Sequence, residues 1–169
     1  HEPEPGAPAP FHVIDGQQRL TTLSVLLCAI RDAGRDRGWA ELASEIDETY
    51  IVHRFKKGEE RYRLFPRQSD RDEYFEMVRG EAPTGTKGLG GAYWFFRRKL
   101  SEASATESVA TLRRLLDATA SRLVLVSITL SQENPYRIFK SLNSTGVDLE
   151  QGDLIRNHVF MAVPASEQD

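Results

Sequence analysis

The segment Asp15-Gly-Gln-Gln-Arg19 gathers groups that can hold an anion at a point where a helix would begin. A helix start presents unpaired backbone amides and the positive end of the macrodipole, so a carboxylate is favoured there and a guanidinium is not. Asp15 obeys this rule, and with Gln18 three positions on it makes an Asp-x-x-Gln variant of the capping box. Arg19 breaks it. A phosphate over the first-turn amides reverses the sign, since Arg19 and the helix end would then grip the same anion. Gln17 and Gln18 would act as neutral donors, Gly16 would allow close approach, and Asp15 would hold Mg²⁺ or orient a water. On residue types alone, a structural cap and a phosphate site both remain open.

A second constellation follows residue 143. Asp148 and Gln151 repeat the cap pattern, and Gly146 can end a preceding helix that carries Asn143 near its close. Asp153, Arg156 and Asn157 stand three and four apart, so they share one helix face beside an apolar stripe. That face reads either as solvated surface or as part of a site.

The elements that must position these groups follow from hydrophobic spacing. Residues 11–14 form a short strand-like run into the polar hinge, and a helix over 17–35 carries Leu20, Leu23, Leu27 and Ile30 at helical spacing. Arg31, Arg35 and Arg37 lie near its C-terminal end, where cations suit the dipole. A shorter helix is expected over 39–47. Two strands, 49–55 and 61–65, joined by the polar KKGEE turn, read as a hairpin. Helices are expected over 69–78, 92–103 and 109–118, with a Gly/Pro/Thr loop at 81–91. The apolar run LVLVSITL, residues 123–130, suits a buried strand, and Asn134-Pro135 and Asp148 open two further helices, the last reaching Ala162.

These elements predict an α+β chain that is predominantly helical, with a small β-hairpin. A hydrophobic content of 40% supports one compact domain, expected over residues 11–163 between a flexible Pro-rich loop at 1–10 and a short tail at 164–169. The formal net charge of −3 excludes a uniformly basic nucleic-acid coat, so any such surface is regional. One region qualifies. Arg54, Lys56, Lys57, Arg61 and Arg63 crowd a stretch with Phe55, Tyr62 and Phe65 interleaved. Strand alternation would turn Arg61 and Arg63 to one face, to meet DNA phosphates, and Tyr62 to the other. An ordinary charged hairpin is the competing reading.

Cys28 is the single cysteine and lies in an apolar helical run, so it reads as a core residue with no disulfide partner. No apolar run approaches the roughly 20 residues of a membrane helix, and a reducing cytoplasm is the expected compartment.

The text VIDGQQRLTTL at 13–23 and IFKSLNSTGVDLEQGDLIRNHVF at 138–160 resembles the DGQQR-motif family of bacterial defence proteins. This is the N-terminal domain type of GmrSD-like modification-dependent restriction enzymes and SspE-like phosphorothioate sensors. The resemblance spans nearly the whole chain from Phe11. It implies a partial ParB/sulfiredoxin-like core with a large helical insertion, in which the DGQQR segment binds and hydrolyses a nucleoside triphosphate, GTP or ATP, with Mg²⁺. Carried over by position, Asp15, Gln18 and Arg19 would be catalytic, with Asp15 also the metal ligand, and Gly16 and Gln17 would bind nucleotide. Thr22, Asn143, Asp153, Arg156 and Asn157 would lie in its neighbourhood.

Family members carry an upstream Gln-Arg-x-Tyr segment and a strand pairing with the one that leads into DGQQR, and this chain starts with His1 after both. It is therefore expected to be an N-terminally incomplete piece, inactive by itself. Members also continue into an HNH-type nuclease. His1, His12, His53 and His158 are scattered, so the nuclease is expected as a separate domain or subunit, the target being modified DNA.

Overall fold

The computed structural model describes residues 11, 13, 15–103 and 108–124. The chain divides into two compact units, His1–Gly16 with Val126–Asp169, and Gln17–Leu125. The helices below all belong to the second unit, which is predominantly helical.

Helix α1 (Gln17–Asp36) is the axis of that unit. It is packed by α2 (Ala40–Ile46), α3 (Gln68–Arg79), α4 (Gly88–Ala103) and α5 (Val109–Asp117). Its span agrees with the expected helix, but its deepest line does not follow the leucines. Thr21, Ser24, Val25, Cys28, Arg31 and Asp32 are buried, whereas Leu20, Leu23, Leu26 and Leu27 are only partly covered. Thr21, Ser24, Cys28, Arg31 and Asp32 recur at three- and four-residue steps, so the inward stripe of this helix is partly polar. The core around it holds Ile30, Leu42, Ile46, Tyr74, Met77, Tyr93 and Leu112. Cys28 is fully buried in that core, and burial pushes its thiol up to about 12, which keeps it protonated.

Helix ends have local causes. Ser108 caps α5 by accepting the Ala110 amide at 3.2 Å. Helix α3 closes on Gly80, whose φ of 86° is left-handed and lets its amide return to the Met77 carbonyl. The expected loop at 81–91 is shortened by the start of α4 at Gly88. There the backbone is so close that a Cβ on Gly90 would lie 2.3 Å from the Gly85 carbonyl oxygen.

The hairpin is where expectation and structure part. Helix α2 continues into a π-helical turn, Asp47–Ile51, and a 3₁₀ turn occupies Gly58–Arg61. These turns consume the residues the two strands needed. Among the described residues the only β pairing is an antiparallel bridge, Val52 to Tyr62, flanked by His53 N–H to Arg61 O at 2.7 Å and Arg63 N–H to Ile51 O at 3.3 Å. Tyr62 does turn inward, stacking on Phe75 at 4.0 Å between centroids. Phe11 and Val13 belong to no strand. The expected helices at 134–162 and most of the strand at 123–130 lie outside the described residues, as does any ParB-like core built from them.

The decisive interaction is that of Arg31, which is not the helix-end surface cation its position suggested. Its side chain is fully buried. Nε and Nη2 donate to Asp32 at 2.8 and 3.1 Å, and Nη1 to Asp47 at 2.8 Å and the Val78 carbonyl at 2.9 Å; Nη2 also reaches the Met77 carbonyl. Tyr93 of α4 donates to the same Asp32 at 3.0 Å, and Arg35 pairs with Asp47. One guanidinium thus joins α1, the turn after α2, the end of α3 and, through Asp32, α4.

Arg31→Met is therefore expected to destabilise the fold by about 3–5 kcal/mol in urea unfolding, because it removes the buried charged donor shared by Asp32, Asp47 and the Met77 and Val78 carbonyls. Arg113→Met, which breaks only the exposed pair with Glu45, should cost less than about 1 kcal/mol. Gly80→Ala should cost more than about 1 kcal/mol, since alanine resists that φ and its Cβ would meet Arg35 Nη1 at 2.5 Å.

Candidate functional site

The residues singled out at the DGQQR segment fall at the start of α1. Gly16 has φ 91° and donates its amide to Asp15 Oδ1 at 2.7 Å. The helix begins at Gln17, and its first turn contains no acidic residue. Gln17, Gln18 and Arg19 are exposed along that turn. Thr22 is exposed one turn further on, whereas Thr21 is buried with its hydroxyl on the Gln17 carbonyl at 2.8 Å. The helix therefore offers two glutamines and an arginine to solvent at its positive end. Asn143, Asp153, Arg156 and Asn157 lie outside the described residues.

A second glycine-bearing helix start, that of α4, is occupied from within. Glu73 of α3 accepts the Gly90 amide at 3.3 Å, and Cβ atoms placed on Gly85 or Gly90 would each meet its Oε1 at 2.5 Å. A carboxylate from a neighbouring helix fills the position an external anion would take. Among the described residues, no group of three His, Cys, Asp or Glu side chains converges as a metal site. Asp15 is an exposed single carboxylate, which suits the mode in which Mg²⁺ takes one or two carboxylates and completes its shell with substrate phosphates and water.

The expected DNA-facing cations are distributed unevenly around the connection between α2 and α3. Arg63 donates Nε to the Val52 carbonyl and Nη2 to the Glu48 carbonyl, both at 3.1 Å, so it braces the turn. Arg54 pairs with Glu48 at 3.0 Å, and Arg61 lies 5.9 Å from the Tyr62 ring centroid. Lys56 and Lys57 are exposed. Arg97 reaches the Ala29 carbonyl and Asp36 and so ties α4 to α1, while Arg98 and Lys99 pair with Glu102.

Two residues here were not singled out from the sequence. Phe55 is 93% exposed between two cations, and His53 lines the same concavity of about 470 Å³ with Glu48, Arg54, Lys56 and Arg63. The signal was an aromatic set in a basic run; alternation turned Tyr62 inward but did not show that Phe55 would stay outside. Desolvation, then Arg63 and Lys56, hold His53 below its ordinary value.

A family model described as the GmrSD restriction endonuclease N-terminal domain matches residues 2–160. The chain belongs to that family. It is thus a domain type of a restriction system, as the two sequence motifs implied. No curated protein and no solved structure matches it. No helix among the domain's described residues is long and apolar enough to cross a membrane.

In an NMR pH titration, the His53 midpoint should fall below 6.5, and Lys56→Gln should raise it without restoring it, since desolvation is the larger cause. The folded domain holds that proton less tightly than the unfolded chain. The His53 contribution therefore penalises the fold as pH falls below the ordinary value, with the full penalty reached below the folded midpoint. A midpoint at or above 6.5 would contradict this packing.

Proposed function

We propose that the domain binds and hydrolyses a nucleoside triphosphate, GTP or ATP, at the DGQQR segment and couples turnover to engagement of modified DNA. The nuclease step belongs to a partner domain or subunit of HNH type. The observation that supports this reading is the first turn of α1, where Gln17, Gln18 and Arg19 are exposed and no acid of the helix itself competes for an anion.

In this reading the first-turn amides and Gln17 bind the phosphates, with Gly16 allowing the backbone to approach. Arg19 stabilises negative charge as it develops on the transferred phosphoryl group, and Gln18 orients the attacking water. Mg²⁺ held by Asp15 and the nucleotide would neutralise phosphate charge. Thr22, Asn143, Asp153, Arg156 and Asn157 are assigned to the surroundings of this site by their motif positions. DNA contact is assigned to the basic turn, through Arg54, Lys56, Lys57, Arg61 and Arg63.

In the intact restriction protein, Arg19→Ala should lower Mg²⁺-dependent NTP turnover by about 10³-fold or more, and Asp15→Ala should also abolish most of it. If the segment is only a helix cap, turnover will survive both changes, and Asp15→Ala will cost about 1 kcal/mol of stability instead. For DNA, the double change Lys56→Gln with Lys57→Gln should weaken binding and flatten the plot of log affinity against log salt by about two in slope. A slope unchanged by the double change would remove these lysines from the interface.

A further inference from the structure

We propose that the concavity at the basic turn takes an unstacked nucleobase of a DNA strand, with Phe55 as the stacking platform and the surrounding cations on the adjoining phosphate. This rests on the DNA reading above and names what part of DNA the turn engages.

The three aromatics of the basic stretch divide by use. Tyr62 stacks on Phe75, and Phe65 packs edge-on against Phe75 at 5.5 Å. Phe55 packs into nothing comparable and is 93% exposed, the largest value among the exposed large hydrophobic residues described. Its near neighbour is a guanidinium, Arg54, 5.9 Å from the ring centroid. An aromatic face beside an arginine and lysines is the combination that binds unpaired bases, one surface stacking while the cations track the backbone.

The space beside the ring is adequate. Its volume of about 470 Å³ falls within the roughly 300–1,000 Å³ of ligand pockets. Its walls carry hydrogen-bonding groups of both kinds: Glu48 accepts, Thr49 does either, and His53, held below its ordinary value, offers one donor and one acceptor as a neutral imidazole. Arg63 is fixed by two backbone carbonyls, so the wall it forms is built before any ligand arrives. Contact with duplex backbone alone would use the cations but leave the ring unused, because paired bases hide their faces in the stack. A base taken out of the stack uses both.

The test uses fluorescence anisotropy at fixed salt with the chain and its Phe55→Ala and Phe55→Trp variants. The probes are a short single strand, a duplex with one mispaired thymidine, the same duplex abasic at that position, and a free mononucleotide. Phe55→Ala should weaken binding of the single strand or the mispaired duplex about 5- to 100-fold, Phe55→Trp should retain it, and the abasic duplex should not distinguish the variants. A response confined to the single strand identifies an unpaired strand as the source, and a response of the mispaired duplex identifies an extruded base.

Equal affinities for the chain and Phe55→Ala on both DNA probes would overturn the proposal, as would Phe55-dependent binding of the mononucleotide alone. The double Lys56→Gln, Lys57→Gln variant separates the two failures. If it weakens binding while Phe55→Ala does not, backbone contact stands without base capture; if neither does, the DNA reading fails as well. Thermal melts followed by circular dichroism should match across the Phe55 variants, because the side chain supports no packing.

Discussion

The helical unit is organised around a charge that water never reaches. A guanidinium has five N–H groups, and Arg31 directs bonds from them to Asp32, Asp47 and two carbonyls at the end of α3. Burying such a group is costly unless every donor is met, and a partly met network would be worse than an apolar core. The demand is therefore geometric. The turn after α2 must bring Asp47 to α1, and α3 must end with the Met77 and Val78 carbonyls facing the same point. Those carbonyls belong to the last turn of α3, where intrahelical donors run out and the dipole is negative, so the arginine also serves as a cap supplied from another helix.

This arrangement carries outward to the basic turn. Asp47 opens the π-helical turn whose next residue, Glu48, lends its carbonyl to Arg63, and Val52 just beyond it bridges to Tyr62, which stacks on Phe75 of α3. The path from the buried guanidinium to the exposed cations is continuous within one unit and short in sequence. A turn of this length with one bridge would be marginal alone. Here it is held at one end by ion pairs and at the other by aromatic stacking, which leaves Lys56, Lys57 and Phe55 displayed on a fixed base.

Much of the helical layout was readable in the residues, because periodic apolar positions and punctuating glycines act locally. The starts and ends of α1, α3 and α5 lie within a residue or so of the expected ones, and Gly80 stops α3 for a reason its backbone angle makes plain. What could not be read depends on partners distant in sequence. Arg31 looks like a helix-end cation until Asp47, sixteen residues on, and the carbonyls of Met77 and Val78, forty-six and forty-seven on, are brought to it. The hairpin failed for a related reason: residues 49–55 have strand-like composition, but Asp47 is committed to Arg31 and the chain leaves α2 as a widened helical turn. Of the candidate site, the helix start and the basic run were readable; the bracing role of Arg63 and the outward Phe55 were not, since both follow from that turn.

The two glycine-bearing helix starts differ in the charge that meets their amides. Both α1 and α4 begin beside small residues that let other groups approach their amides, and composition alone makes the α4 start, with three glycines in its first four residues, the better phosphate loop. Its position is taken by Glu73, and inserting a phosphate there would set two anions against each other at contact distance. At α1 the first turn itself holds no acid, and Gln17, Gln18 and Arg19 are exposed along it. An arginine at that position is unfavourable to an isolated helix, so local helix energetics do not account for Arg19 at the exposed start of the unit's central helix.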